Sequence, residues 1–176
     1  TAANQPILTI AAAGNYLTFD GSNDYLKAAA FALAQPETVY FVGSQVTWTN
    51  NDCFWAGNVN GAGVLVQDTT TPGISVYAGT TATAVNSGLA LSTNGIVTGV
   101  VNGISSLTRV NRGTATTGGS GSAASNGFTL GANGNGTTGW ANITAQEVVV
   151  FSGAHDKATQ NRVIAYLANR NRIALT

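Results

Sequence analysis

Short apolar runs of strand length recur along nearly the whole chain, and the period changes only at its end. The runs fall at 7–10, 16–19, 25–28, 38–48, 53–56, 63–67 and 74–78, then at 82–85, 96–102, 106–110, 127–130 and 143–151. They are rich in Val, Ile, Thr and aromatic residues, and Gly, Asn, Thr and Ser punctuate them roughly every 8–12 residues, the spacing of a sandwich or barrel. Within 38–48, Tyr40, Val42, Val46 and Trp48 share one face, while Phe41, Gly43, Gln45 and Thr47 share the other. That alternation predicts a strand with one core face and one wetter face. From Asp156 onward Ala158, Val163, Ile164, Leu167 and Ala168 form an i, i+3/i+4 stripe. Asp156 suits the N-cap, and Arg170 and Arg172 suit the negative end of the helix dipole. The predicted fold class is all-β: a two-sheet antiparallel β-sandwich with one C-terminal α-helix over about 156–172, with 1–176 as a single domain. One helix cannot cover a whole sheet, so it is expected to pack on the sandwich edge or side.

A chain of 176 residues buries roughly 70% of its unfolded surface, enough for a core without disulfide or metal. Only 8% of its residues are charged, against about 25% in typical domains. Thr, Ser, Asn, Gly and Ala must therefore cover the surface, a pattern common in secreted, surface-exposed and virion proteins. Seven Lys and Arg balance seven Asp and Glu. No basic stripe offers counterion release to a phosphate backbone, so nucleic acid is not an expected partner. A neutral surface also lacks repulsion between copies, which suits a domain held in a larger chain or assembly. No apolar run is long enough for a membrane span, and no secretory leader pattern is present. The absence of Met and the start at Thr1 suggest a processed part of something longer. The single cysteine, Cys53, cannot form an intrachain disulfide and reads as a small buried hydrophobe. The segment 113–126 (GTATTGGSGSAASN) reads as a long exposed loop, and 131–139 as a second looping connection.

Three stretches together resemble the concanavalin A-like lectin/glucanase superfamily in its laminin-G-like branch. Residues 19–26 (FDGSNDYL) are similar to its strand–turn–strand opening. Residues 146–152 (QEVVVFS) are similar to its last strand, where an acidic residue precedes alternating aliphatics. The terminal helix is similar to its closing segment at Ala158, Val163, Tyr166, Leu167, Arg170 and Ile173. The lead-in 2–6 (AANQP) resembles that of phage and bacterial surface copies. The likeness spans nearly the whole chain, with a weakly matching middle at 58–126. It implies a jelly roll of two antiparallel sheets, often non-catalytic and often attached to larger cell-surface, viral or enzyme chains. The sequence departs from the family at His155, where an apolar staple residue is usual.

No catalytic residues are assigned. Glycoside hydrolysis ordinarily needs two facing carboxylates, and the chain has two glutamates, Glu37 and Glu147, without the glucanase acid run. Glu147 stands where the family has a structural acid. A polysaccharide lyase would need a His/Tyr/Arg cluster, and one histidine beside a helix start argues against it. No nucleophile elbow is present. Asp20, Gly21, Ser22, Asn23 and Asp24 form an oxygen-rich loop whose structural reading is a turn bonded to its own backbone; Ca²⁺ is the alternative, without the closing glutamate of an EF-hand. Asp52 and Asp68 are isolated oxygen donors. No cofactor is expected.

Sugar-binding sandwiches stack aromatic faces on C–H groups and aim amides at hydroxyls. The candidate ligand-binding residues are Trp48, Trp55, Tyr77 and Trp140, with Asn58 and Gln67 and the neighbouring Asn50, Asn51 and Asn60 as polar companions; Trp140, beside Gly139, is the first choice for a rim. Two functions follow as expectations. One is a carbohydrate-binding or host-adhesion module on a phage virion or bacterial surface, with a glycan or cell-surface polysaccharide as partner. The other is a structural decoration or assembly domain that contacts neighbouring protein subunits. Both place the chain on a virion or in an extracellular or cell-surface setting.

Overall fold

The computed structural model describes residues 4–12, 14–80, 85–86 and 88–175. In chain order the elements are β1 (Ile7–Thr9), β2 (Tyr16–Asp20), β3 (Leu26–Lys27), β4 (Glu37–Gln45), β5 (Cys53–Ala56), β6 (Val64–Gln67) and β7 (Ile74–Tyr77). There follow β8 (Gly95–Val101), β9 (Ser106–Val110), β10 (Thr116–Gly118), β11 (Thr129–Leu130), β12 (Asn142–Ser152) and α1 (Lys157–Asn171). They form two antiparallel sheets, seven-stranded in the order β1-β2-β12-β4-β8-β9-β10 and five-stranded in the order β3-β11-β5-β6-β7. The chain is thus the predicted β-sandwich with one C-terminal helix. No helix among the described residues is long and apolar enough to cross a membrane.

The inward faces of the two sheets meet in one core around Phe19, Val39, Phe41, Phe54, Trp55, Leu65, Ile74, Val97 and Ile143. Phe41 of one sheet and Phe54 of the other lie 5.1 Å apart, centroid to centroid, and tilted by 49°, within the range of favourable ring pairs.

The helix sits elsewhere than expected. Ile164, Leu167 and Ala168 pack on Tyr40, Val42 and Ile96, over the outer face of the central strands β4 and β8. Every residue of β4 is consequently buried, which overturns the reading of that strand as wet on one side. The alternation of β4 is real, but its second face carries Tyr40 and Val42, whose apolar surface draws the amphipathic helix onto the sheet face instead of its rim. Asp156 caps the helix through Oδ1, which accepts the Thr159 N–H at 2.7 Å.

A β-bulge makes this two-sided burial possible. Ile143 and Ala145 point into the main core, but the pairing of β12 with β4 shifts between Ala145 and Glu147. A bulge inserts one residue and so changes which parity faces which side. Beyond it Val148 and Val150 face the core, whereas Val149 and Phe151 face the helix. Gly43 lies beside the bulge, where a Cβ would stand 1.9 Å from the Thr144 carbonyl oxygen.

Two further expectations change. The segment 113–126 is not simply an exposed loop: it contains edge strand β10, paired with β9 through Thr116 and Thr117, and Ser120 and Ser125 are fully buried. Ladder hydrogen bonds need backbone and not apolar side chains, so hydrophobic patterning overlooks such a strand. The run 38–48 stops pairing at Gln45. Of the predicted strand 82–85, residues 82–84 lie outside the described residues.

Candidate functional site

The outer face of the five-stranded sheet has no helix over it among the described residues. Along β6 and β7, Leu65, Ile74 and Val76 enter the core, so Val64, Val66 and Tyr77 turn outward. In β5 the register shifts between Cys53 and Trp55, and both Phe54 and Trp55 point into the core. This leaves Cys53 and Ala56 outward beside Val64 and Val66. The result is a groove of about 320 Å³ with Cys53, Val64 and Val66 as its floor, Tyr77 and Gly61 at its side, and Asn51, Asn60, Asp68 and Asn133 around it. Gly61 has φ +74°, and a Cβ there would lie 3.4 Å from the Tyr77 ring. A glycine here permits the left-handed turn, whereas a Cβ would merely touch the ring at van der Waals distance.

Several groove residues are held in place. Asp68 accepts from Ser75 Oγ at 2.7 Å and from Thr69 Oγ1 at 3.1 Å. Asn133 donates to Thr138 Oγ1 at 2.7 Å and accepts the Thr137 N–H at 3.1 Å. Asn51 adopts φ 73° and donates its N–H to the Gln67 carbonyl at 2.8 Å. Burial, aided by the nearby Asp52 charge, pushes the Cys53 thiol up to about 12. The floor is therefore apolar, and burial favours the protonated form of its one thiol. Such a surface can accept C–H groups, with Tyr77 as an aromatic flank and the Asn51 and Asn60 amides at the margin.

The residues singled out from sequence do not converge on one place. Tyr77 lines the groove, with Asn51 and Asn60 as companions. Asn58 is half-buried in a separate hollow with Tyr25, Leu26 and Lys27. Trp55 is 1% exposed, packed on Phe128 at 6.1 Å, and has no face for a ligand. Gln67 is fully buried; its amide donates to the Thr47 carbonyl at 2.9 Å and accepts the Thr49 N–H at 3.0 Å. Trp48 is half-buried, and its Nε1 donates to the Gly73 carbonyl at 3.0 Å, pinning the turn before β7. Trp140 is half-buried with its indole nitrogen turned inward, and it lines neither hollow. Asn50 accepts the Thr69 N–H at 3.1 Å, a loop brace.

Val64, Val66, Gly61 and Asn133 also line the groove, although none is among the residues expected from sequence. The alternation around Leu65 is a usable signal for the two valines. Nothing local to Asn133, which is brought to the groove by the connection after β11, marks it.

The oxygen-rich loop behaves as a turn. Asp20 Oδ1 accepts the Ser22 and Asn23 N–H groups at 2.7 and 3.3 Å, and Asp24 Oδ2 accepts the Asp20 N–H at 3.1 Å. Among the described residues no three His, Cys, Asp or Glu side chains cluster as a metal site.

Glu37 points into the sandwich interior, where it accepts a hydrogen bond from Ser125 Oγ. Glu147 points to the opposite side, salt-bridged to Arg170 at 3.1 Å and bonded to Asn171 at 2.8 Å. The two glutamates lie on opposite faces of one sheet and cannot flank one sugar. The fold does bring a His/Tyr/Arg group together, contrary to the expectation from sequence. Tyr40 Oη and His155 Nδ1 are 2.9 Å apart, and Arg109 reaches Gln160, whose amide bonds the His155 carbonyl. Tyr40 is fully buried and Arg109 is 2% exposed, so the group stitches the helix to the sheet. Burial raises the Tyr40 phenol to about 12 and holds the His155 imidazole below its ordinary value.

Solved structures share this fold. Domain 4 of AbnA, a GH43 extracellular arabinanase from Geobacillus stearothermophilus, in complex with arabinotriose, superposes with TM-score 0.67 at 10% identity over 91% of this chain and 81% of that one. A GH54 α-L-arabinofuranosidase gives TM-score 0.66 at 16% identity over 91% of this chain and 40% of its own. The binding domain of Paraclostridial Mosquitocidal Protein 1 gives 0.62 at 10% identity over 93% of this chain and 46% of its own. At such identities the likeness defines a common β-sandwich fold; the chain spans less than half of the last two proteins. No family model and no curated protein matches the sequence.

Proposed function

We propose that this chain is a non-catalytic carbohydrate-binding module of laminin-G-like type, displayed on a phage virion or bacterial surface as part of a larger chain or assembly. The observation that carries the reading is the groove over β5, β6 and β7, an apolar floor flanked by Tyr77 with amides at its margin. That composition matches what sugar rings require, since C–H faces stack on apolar and aromatic surface while amides bond hydroxyls. A structural neighbour whose complex contains arabinotriose supports the class of ligand. The separation of Glu37 from Glu147 and the burial of Tyr40 and Arg109 support binding without turnover. The test is an oligosaccharide microarray followed by titration calorimetry. Wild type binds at least one glycan, and Tyr77→Ala lowers that affinity at least tenfold; a folded wild type silent across the array sinks the reading.

The alternative, an assembly domain contacting neighbouring subunits, is favoured by one observation. Edge strand β1 exposes Ile7 and Leu8, with Ile10 beyond them, at 69%, 59% and 80%. An apolar open edge is a template for pairing with another chain. Sedimentation of wild type against Ile7→Lys separates the two readings.

A further inference from the structure

We infer that the groove selects an uncharged, polyhydroxylated ligand, a neutral oligosaccharide, and disfavours sugars carrying a carboxylate; this rests on the carbohydrate-binding reading of the groove. Among the described residues its lining contains no Lys, Arg or His, and its one carboxyl is that of Asp68. Recognition of a uronate or sialate ordinarily needs charge-assisted donors, best supplied by a guanidinium fork. Here the cations lie elsewhere. Arg109 and Arg112 stand on β9 and the turn after it, and Lys157, Arg162, Arg170 and Arg172 stand on or just after α1, all on the seven-stranded side of the sandwich. Lys27 lines the neighbouring hollow, where its ammonium is directed at the carbonyls of Asn58 and Gly134 at 3.0 and 2.6 Å.

Asp68 sets the preference actively. Hydrogen bonds from Thr69 and Ser75 fix its carboxylate at the margin of the groove. A ligand carboxylate placed there meets a like charge with no cation to offset it, whereas a sugar hydroxyl can donate to the remaining lone pairs. Asp68 is the one carboxyl among the described groove residues, so a divalent ion bridging protein and acidic sugar would have a single charged ligand beside neutral amide oxygens. Binding is therefore expected to survive removal of Ca²⁺.

The experiment compares neutral arabino-, gluco- and galacto-oligosaccharides with uronate- and sialate-bearing ones by calorimetry in EDTA. It uses wild type, Tyr77→Ala and Asn60→Arg, each checked for native circular dichroism; Asn60 is exposed, so its replacement leaves the core untouched. Wild type is expected to bind a neutral oligosaccharide and to bind acidic ones at least tenfold more weakly. Asn60→Arg is expected to shift the acidic-to-neutral ratio by about tenfold, the worth of one charge-assisted contact. Acidic sugars bound as tightly as neutral ones, with binding lost in Tyr77→Ala, overturn the neutrality inference and leave the groove reading intact. Loss of binding in EDTA, or an unchanged ratio in Asn60→Arg, overturns it too. Absence of all glycan binding, or binding indifferent to Tyr77→Ala, overturns the groove reading and with it this inference.

Discussion

Gln67 Nε2 donates to Gln45 Oε1 over 2.7 Å, joining the two sheets through a fully buried amide pair. Gln45 also donates to the carbonyls of Pro72 and Leu89, at 3.0 and 2.5 Å. The pair thus satisfies loop backbone that would otherwise be buried without partners. Gln67→Leu leaves Gln45 Oε1 and backbone groups unpaired, and the expected loss is about 2–4 kcal/mol. In a cycle with Gln45→Leu, urea unfolding should show coupling of about 1–2 kcal/mol; additive effects would mean that the amides act independently.

Stability should fall as pH rises through neutrality because of Glu37. Burial lifts its carboxyl from 4.5 to about 7, against a smaller opposing effect of the Ser125 hydrogen bond. The folded state then holds a proton that the unfolded state has released. Stability is full below the unfolded value and declines as pH climbs to about 7, by about 3 kcal/mol in all. Glu37→Gln removes this slope between pH 5 and 7.5 in thermal melts. A slope unchanged in the variant would show that another group causes it.

Trp55 and Tyr77 should divide stability from binding. Trp55→Ala empties a fully packed core site and should cost about 3–5 kcal/mol. Tyr77→Phe keeps the ring and should leave the urea midpoint near wild type while weakening any glycan that bonds its hydroxyl. Equal loss of stability in both would place Tyr77 in the core.

The helix should contribute through its apolar stripe and not through its surface ion pair. Leu167 is 1% exposed against Tyr40, Val42 and Ile96, so Leu167→Ala is expected to cost about 2–5 kcal/mol. Arg170→Ala removes a solvent-screened bridge to Glu147 and should leave the unfolding midpoint unchanged within error. Denaturant titration of both variants decides the matter.

Cys53 should resist thiol reagents while the protein is folded. With burial lifting its thiol to about 12, almost none of it is ionised at pH 8, against roughly a quarter of a free cysteine. Reaction with a disulfide reagent should therefore track unfolding in urea. Rapid labelling of the native protein would contradict the buried floor of the groove.

The elements with apolar periodicity are legible in the order of amino acids. Strand 53–56 matches β5 residue for residue, and the stripe from Ala158 to Ala168 with its Asp156 cap matches α1. Edge strand β10 is hidden because Thr and Gly carry no apolar signal. Of the groove, Tyr77 is legible as an aromatic near a turn. Trp55, equally aromatic, is not separable from it, because a bulge decides which way β5 points.

That strands and one closing helix form follows from period and capping, which are local properties of the chain. Which outward face remains open depends on how those elements pack. The helix settles on Tyr40, Val42 and Ile96 and covers the centre of the seven-stranded side. The bulge in β5 then leaves Cys53 beside Val64 and Val66 on the other. Both outcomes depend on register between strands distant in sequence, and a one-residue shift exchanges the faces of every residue beyond it.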